Sequence, residues 1–456
     1  MPVMRDLMAG GRVGDLMSTI PWYTIPGWTT LMTGVGPGTH GLLYWVATDP
    51  ADYFENRRPG RRFLTSGDIP FPTFWDVAGA AGKRVAVVNM PLTYPAWPVN
   101  GTMVTGLLTP AGARAHVSYP EDLMQRFPGY RVDLSVSREA ASPDAPALRP
   151  RDVDLAACLR ELIHVTEGRR SVATALLADA VDLGVVVFVG PDRISHRAWE
   201  EQEAVTRGEA PDEIAELVET YYRTLDAAIG ALVDTAGSEA TVMVVADHGF
   251  GPPPVRIFGI NGWLEQKGYL RLRATAVQRT VSSRRALRRI ARPLARRWKR
   301  RRGMAGAPVV DWSRSSAYAL RYPHTRMFGV VINRAGVKRE GWVQEEDVPD
   351  LVGRLRRELE ELQDEGGGRV VRRVYSSEEL GAPRPGFPEL LVEMEPEFFP
   401  RDGLRGAPLF QPYRFRGSGL HEPEGIFVVS GPRVRGSGSA AADIADVAPT
   451  VLGLLG

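Results

Sequence analysis

An α/β fold, with a mostly parallel central sheet flanked by helices and interrupted by cap insertions, is predicted by three features of this sequence. Short β-rich apolar runs recur at Val85–Val88, Val185–Val189, Val242–Val245, Phe328–Ile332 and Ile426–Val429. They show no polar alternation, so they read as strands covered on both faces. Helical patterns stand between them at Asp152–Ala180, Pro211–Thr235 and Glu345–Leu362. Strands alternating with long helices predict a sheet built largely from parallel crossovers. Such a sheet carries its functional residues on loops at the carboxyl ends of its strands.

The composition sets the outer limits. The chain has 456 residues, 44% hydrophobic and 24% charged, with 56 basic against 54 acidic side chains and a formal charge of +2. That is a globular profile, and the near-neutral balance argues against a dedicated nucleic-acid binder. The single cysteine, Cys158, excludes an intrachain disulfide and a Cys-rich metal cluster. Any metal must therefore be held by His and carboxylates. No signal-peptide pattern and no stretch of about 20 apolar residues occurs, and the expectation is a cytoplasmic protein.

Residues 46–147 are rich in Pro, Gly and aromatics and read as part core strand, part cap. From Arg271 to Arg302 there are 14 basic residues and no acidic one, which leaves a net charge of about −12 on the rest of the chain. This 271–310 region reads as a basic insertion or linker. Within it Leu287, Ile290, Leu294 and Trp298 recur at helical spacing among arginines. The ordinary reading is a solvated or cap-packed segment; the sharper one is peripheral contact with an anionic membrane through 281–302. Pro293 interrupts that helix, and no nucleic-acid-binding motif accompanies the charge.

Three segments next to strand runs pair metal-compatible side chains. After Val185–Val189 come Asp192 and His196, four residues apart. After Val242–Val245 come Asp247, His248 and Gly249. Before Ile426–Val429 stands His421, in Gly417–Pro423. Each pair alone has a plain explanation, a capping aspartate or a turn beside a surface histidine. Three of only seven histidines at three strand ends form a more specific pattern, and mixed His and Asp ligation suits zinc or manganese.

A fourth segment runs from Pro21 to Gly41 and contains Thr24-Ile25-Pro26-Gly27-Trp28. Pro26 suits a first helical turn and Gly34 a helix end, which puts Thr24 just ahead of a helix N-terminus. The backbone N–H groups there favour a phosphate or a deprotonated hydroxyl. A threonine hydroxyl is a poor nucleophile unless activated, for instance by a divalent ion; without the metal pairs Thr24 would read as an ordinary cap.

These motifs resemble the type I phosphodiesterase and nucleotide pyrophosphatase-like branch of the alkaline phosphatase superfamily. The similarity runs from Thr24–Gly41 through Asp192, His196, Asp247-His248-Gly249 and His421 to a closing helix at Asp443–Leu452. Asn89–Pro95 and Asp311–Ser313 are similar to a bacterial subgroup of predicted phosphohydrolases and phosphomutases. The resemblance implies a single alkaline phosphatase-like domain over 1–456 and two divalent metals, zinc or manganese. One would be held by Asp192, His196 and His421, the other by Asp247, His248 and the Thr24 oxygen. Thr24 would be the nucleophile, a phosphothreonine the intermediate, and a small phosphorylated molecule the substrate. Gly27 would lie at the substrate, where nucleotide pyrophosphatases carry an Asn, which puts nucleotide specificity in doubt. The resemblance also implies a strand with a further Asp ligand ahead of the given sequence. Asp6 and Asp15, read as helix and turn, are not assigned to that role. A metal-deficient relative that binds a phosphorylated ligand, and a phosphotransferase or mutase on the same fold, are the alternatives.

Overall fold

The computed structural model describes residues 1–47, 62–134, 154–209, 212–273, 310–337, 340–382, 387–404, 408–413 and 418–456. The basic stretch 281–302 lies outside them, as does part of the cap region 46–147.

A first lobe begins with α1 (Pro2–Gly10) and β1 (Arg12–Met17). Then come α2 (Thr24–Thr33), α3 (Pro37–His40) and α4 (Phe74–Ala80), followed by β2 (Val85–Met90), β3 (Gly101–Thr105) and β4 (Ser118–Tyr119). Next are α5 (Leu155–Leu177), β5 (Leu183–Val186) and three helices, α6 (Gly190–Ser195), α7 (Trp199–Arg207) and α8 (Glu213–Ala236), before β6 (Val242–Val245). The two long helices start where the sequence supplies an aspartate. Asp154 accepts from the Ala157 N–H at 3.0 Å and Asp212 from the Ala215 N–H at 2.8 Å, and such caps contribute about 1 kcal/mol each.

After β7 (Gly249–Gly251) the chain builds a second lobe: β8 (Arg256–Gly259), α9 (Ile260–Lys267), β9 (Ala317–Arg321), β10 (Met327–Ile332) and α10 (Val348–Glu360). It continues with β11 (Val371–Ser376), β12 (Leu390–Met394), β13 (Phe398–Arg401) and β14 (Phe410–Pro412). The return to the first lobe is made by β15 (Leu420–Glu422), β16 (Glu424–Ser430), β17 (Gly438–Ser439), β18 (Ala442–Asp443) and α11 (Val447–Leu455).

The sheets are mixed, which corrects the expectation of a mostly parallel one. β3, β2 and β5 are parallel neighbours with β4 antiparallel at the end. In the next sheet β16 lies antiparallel between β1 and β6, and β17 and β18 pair parallel with β1. The run at 328–332 belongs to a third, antiparallel sheet of order β11-β12-β10-β9. An unalternating apolar run reports cover on both faces, not strand direction. Direction follows from the connection, and residues 322–326 between β9 and β10 are too few for a parallel crossover.

A second correction concerns Asp15, which lies in β1 and is exposed, rather than in a turn. The nearby glycines Gly11 and Gly14 serve close strand approach. A Cβ on Gly14 would overlap the Ala440 carbonyl, and one on Gly11 the Val429 carbonyl.

All of β2 is buried because it is packed on both sides. Val85 and Val87 join Leu16, Ile25, Met32 and Val447 in one core. Ala86 and Val88 face Val172, Ala173 and Leu176 of α5 in another. Among the described residues β5 pairs only with β2, and β6 only with β16, so side-chain packing joins the two sheets of the first lobe. The second lobe has its own core of β9–β12 residues against Trp263, Leu264, Leu351, Leu355 and Leu359. The lobes interlock where Tyr322 and Met327, flanking the β9–β10 turn, enter the first lobe's core. There Tyr322 stacks on Tyr44 with centroids 5.1 Å apart.

The start of α6 is held tightly to α8. A Cβ on Gly190 would overlap the phenol ring of Tyr221, which is itself fully buried. Gly190→Ala is therefore expected to lower stability by about 1–3 kcal/mol, the usual cost of overpacking, as read from urea denaturation. It should also weaken divalent-metal binding, because α6 carries Asp192.

Candidate metal centre

The candidate residues are brought together by short elements at the ends of longer ones. Asp192 lies in the first turn of α6 and His196 follows its last residue, so the four-residue spacing sets both on one face. Asp247 and His248 link β6 to β7. β7 pairs antiparallel with β15, which places His421 opposite Phe250. The His248 and His421 rings stack with centroids 3.6 Å apart.

Asp192, His196 and His421 each present one donor atom within 4.8 Å of the others. The Nε2 atoms of His196 and His421 are 2.8 Å apart, and Asp192 Oδ1 stands 3.4 and 3.5 Å from them. Gly419 orients His196: its N–H donates to the Ser195 carbonyl at 2.8 Å, and its own carbonyl lies 3.1 Å from His196 Nδ1. With Nδ1 so engaged, Nε2 is the nitrogen turned to the cluster. A Cβ at Gly419 would lie 2.5 Å from the Trp199 ring, so this approach requires glycine.

The donor set fits a divalent cation. Buried Asp247 Oδ2 and His421 Nδ1 have no hydrogen-bond partner, and His248 Nε2, 3.3 Å from Asp247 Oδ2, adds a nitrogen donor beside the unpaired oxygen. Such orphaned polar atoms are unusual in a folded interior unless a ligand completes them. Burial, and then the neighbouring His248, hold His421 well below the ordinary histidine range; a neutral imidazole is the form that ligates metal. Burial works against the Asp192 carboxylate, but His196, His421 and Arg193 outweigh it and hold Asp192 well below the ordinary carboxylate range.

Thr24 is the first residue of α2, one position further into the helix than its sequence suggested, with Tyr23 extended at the N-cap and Gly34 closing the helix in a left-handed conformation. Thr24 is half-buried between fully buried Tyr23 and Ile25. The first backbone bond of α2 runs from the Gly27 N–H to the Tyr23 carbonyl at 2.9 Å, so the N–H groups of Thr24 and Ile25 precede the helical ladder. Two contacts locate this turn. The Trp22 indole donates to the His421 carbonyl at 2.9 Å, and a Cβ on Gly27 would lie 3.2–3.3 Å from Asp247. Gly27 thus lets α2 approach Asp247 closely, while its N–H is used within the helix. Thr29, Thr30 and Thr33 bond within the helix or to His40.

Four residues at this centre escaped the sequence reading. His324, in the β9–β10 turn at φ 59°, has its ring 4.2 Å from that of His196, and its carbonyl accepts the His421 N–H at 2.8 Å. Arg326 from the same turn makes a two-pronged ion pair with Glu422, one arm at 2.7 Å. Arg193 bonds Asp192, and Asp133 bonds Arg193. An apolar strand, a Pro-containing turn and a second apolar strand at 317–332 do signal a hairpin, but nothing local tells where its tip lands.

A family model described as type I phosphodiesterase / nucleotide pyrophosphatase matches residues 1–418. Among solved structures, phosphonoacetate hydrolase from Sinorhizobium meliloti 1021 in complex with phosphonoacetate is similar at 14% identity and a TM-score of 0.53, covering 100% of this chain and 90% of that one. Human ectonucleotide pyrophosphatase / phosphodiesterase 5 is similar at 12% identity and a TM-score of 0.53, covering 100% of this chain and 89% of that one. At these identities the likeness is one of fold. No curated protein sequence matches significantly.

The buried acid yields a pH test on metal-free protein. Burial raises Asp247 to about 6, with His248 pulling down and Asp192 adding to the rise. Its folded value thus exceeds the ordinary value of about 3.9. The stability it contributes is complete below about pH 4 and lost as pH climbs through about 6, a loss of about 3 kcal/mol. His421 acts oppositely, since its folded value is depressed and stability falls as the pH drops below about 6.5. Comparing Asp247→Asn with wild type at each pH isolates the acid. Metal-free wild type should lose stability relative to the variant as the pH rises from about 4 to about 6, and zinc added above that range should reverse the loss.

Proposed function

Because the chain belongs to the type I phosphodiesterase / nucleotide pyrophosphatase family, we propose that it is a metal-dependent phosphoester hydrolase acting preferentially on diesters, with Thr24 as its nucleophile. The observation that carries this reading is the position of the first turn of α2. The entry to α2 meets the His421 strand through Trp22, and α2 meets Asp247 through Gly27, which supports a reading in which Thr24 works beside both groups of potential ligands. Segments Asn89–Pro95 and Asp311–Ser313 support a place in the bacterial phosphohydrolase subgroup.

Asp192, His196 and His421 would hold one divalent cation, and Asp247 and His248, with Thr24 Oγ1, a second. Zinc or manganese bound there would supply Lewis acidity toward phosphoryl oxygens and ease deprotonation of a hydroxyl. In this reading the N–H groups of Thr24 and Ile25 and the positive end of α2 stabilise negative charge on the transferring group. Thr24 Oγ1 displaces the leaving alkoxide from phosphorus in line, and water then displaces Thr24, which regenerates the hydroxyl. Gly27 contributes access, since any larger residue there would press on Asp247.

Zinc- or manganese-loaded protein is expected to hydrolyse an aryl phosphodiester faster than the matching monoester. Thr24→Ala should reduce turnover at least about a thousandfold while retaining most of its metal. Asp247→Asn and His421→Ala should lose both metal and turnover. Full activity in Thr24→Ala would remove the nucleophile assignment, and full activity in metal-stripped protein would remove the metal mechanism. Metal content and steady-state rates measured on the same preparations separate these outcomes.

A further inference from the structure

Residues 130–133 form a strap that joins β2, α5 and α6, and each makes a polar anchor to the body. Tyr130 donates to Asn89 Oδ1 at 3.4 Å, Arg131 pairs with Glu161 at 2.8 Å, and the Val132 carbonyl accepts from Arg169, which is 1% exposed. Asp133 takes Arg193. Its Oδ2 lies 2.6 Å from Nη2 and 3.2 Å from Nε, and its Oδ1 lies 3.4 Å from Nε.

The remaining arm of that guanidinium is turned the other way. Arg193 Nη1 donates to Asp192 Oδ2 at 2.5 Å, and the Arg193 and Asp133 side chains are only 16% and 11% exposed. A simple structural ion pair would explain the bond to Asp133. It would not explain why the same planar cation also fixes a neighbouring carboxylate by one chosen oxygen. Oδ2 of Asp192 is occupied, whereas Oδ1 is the atom set 3.4 and 3.5 Å from the ring nitrogens of His196 and His421.

We infer that Arg193, aimed by Asp133, is a positioning residue that presents Asp192 to a divalent cation through Oδ1 alone. This rests on the reading of Asp192 as a metal ligand. A guanidinium suits the task because its donors are rigid and coplanar, so holding one carboxylate fixes the angle at which it meets the other. A lysine ammonium at 193 can neutralise charge but cannot bridge both acids in a set plane. The acid that aims Arg193 thus comes from a strap 60 residues upstream, and the strap acts on the metal without touching it.

The experiment measures zinc affinity of metal-stripped protein by chelator competition, together with the visible spectrum of the cobalt(II) form as a report on ligand geometry. Arg193→Ala and Asp133→Asn should each weaken the zinc that depends on Asp192 by about 10- to 100-fold, the usual effect of removing a partner of a metal ligand. Arg193→Lys should recover only part of the loss, and all three variants should alter the cobalt spectrum. In an Asp192→Asn background Arg193→Ala should have no further effect on zinc. Melting curves of the metal-free variants identify any that fail to fold, and Asp133→Asn and Arg193→Lys keep the volume of the original side chains. Unchanged zinc affinity in Arg193→Ala, or an equal loss in the Asp192→Asn background, overturns the inference and leaves the phosphoesterase reading standing. A wild type without Asp192-dependent zinc binding overturns both.

Discussion

The burial of one imidazole organises the centre. His421 is 1% exposed, and every part of the molecule that contributes to the site meets it. The entry to α2 reaches its carbonyl through Trp22, the second lobe takes its N–H through His324, the β6–β7 link stacks His248 on its ring, and α6 brings His196 to its Nε2. Its neighbour Glu422 is clamped by Arg326. Buried backbone and imidazole polar atoms call for partners, and those that His421 has belong to segments separated by up to 399 residues. Meeting that requirement brings the candidate donors together.

The same constraint explains how the two sheets of the first lobe cooperate without a shared ladder. β5 leads to Asp192 and His196, β6 leads to Asp247 and His248, and each pairs with a different neighbour. Relative placement of the two donor groups therefore rests on side-chain packing and on the β7–β15 ribbon. Close-packed interiors hold such positions because small displacements meet steep repulsion. Gly190, Gly419 and Gly27 sit at three of these contacts, where a methyl group would meet Tyr221, Trp199 or Asp247.

Much of this was legible in the residues. β6 and β2 form at the apolar runs that predicted them, and α5, α8 and α10 form at the predicted helical patterns. Asp192, His196 and His421 converge as their strand-end positions implied. Three things were not legible. Strand direction was hidden because cover on both faces looks alike in parallel and antiparallel sheets, as the run at 328–332 shows. β1 was hidden because Arg12–Met17 contains no apolar run, and its strand is set by pairing with β16, β17 and β18. Asp133 and His324 were hidden because their roles arise from contacts 60 and 97 residues away, to Arg193 and His421, and no local pattern encodes a distance of that kind.

The β9–β10 turn has a consequence for how such a molecule can diverge. Residues 322–326 belong to a lobe with its own core, yet they end against the imidazoles and share Tyr322 and Met327 with the other lobe. Changing the turn's side chains alters what stands beside His196, whereas changing its length also disturbs the His324 carbonyl that holds the His421 N–H. The turn is thereby wall and bracket at once: descent can vary the side chains it carries more freely than the path of its backbone.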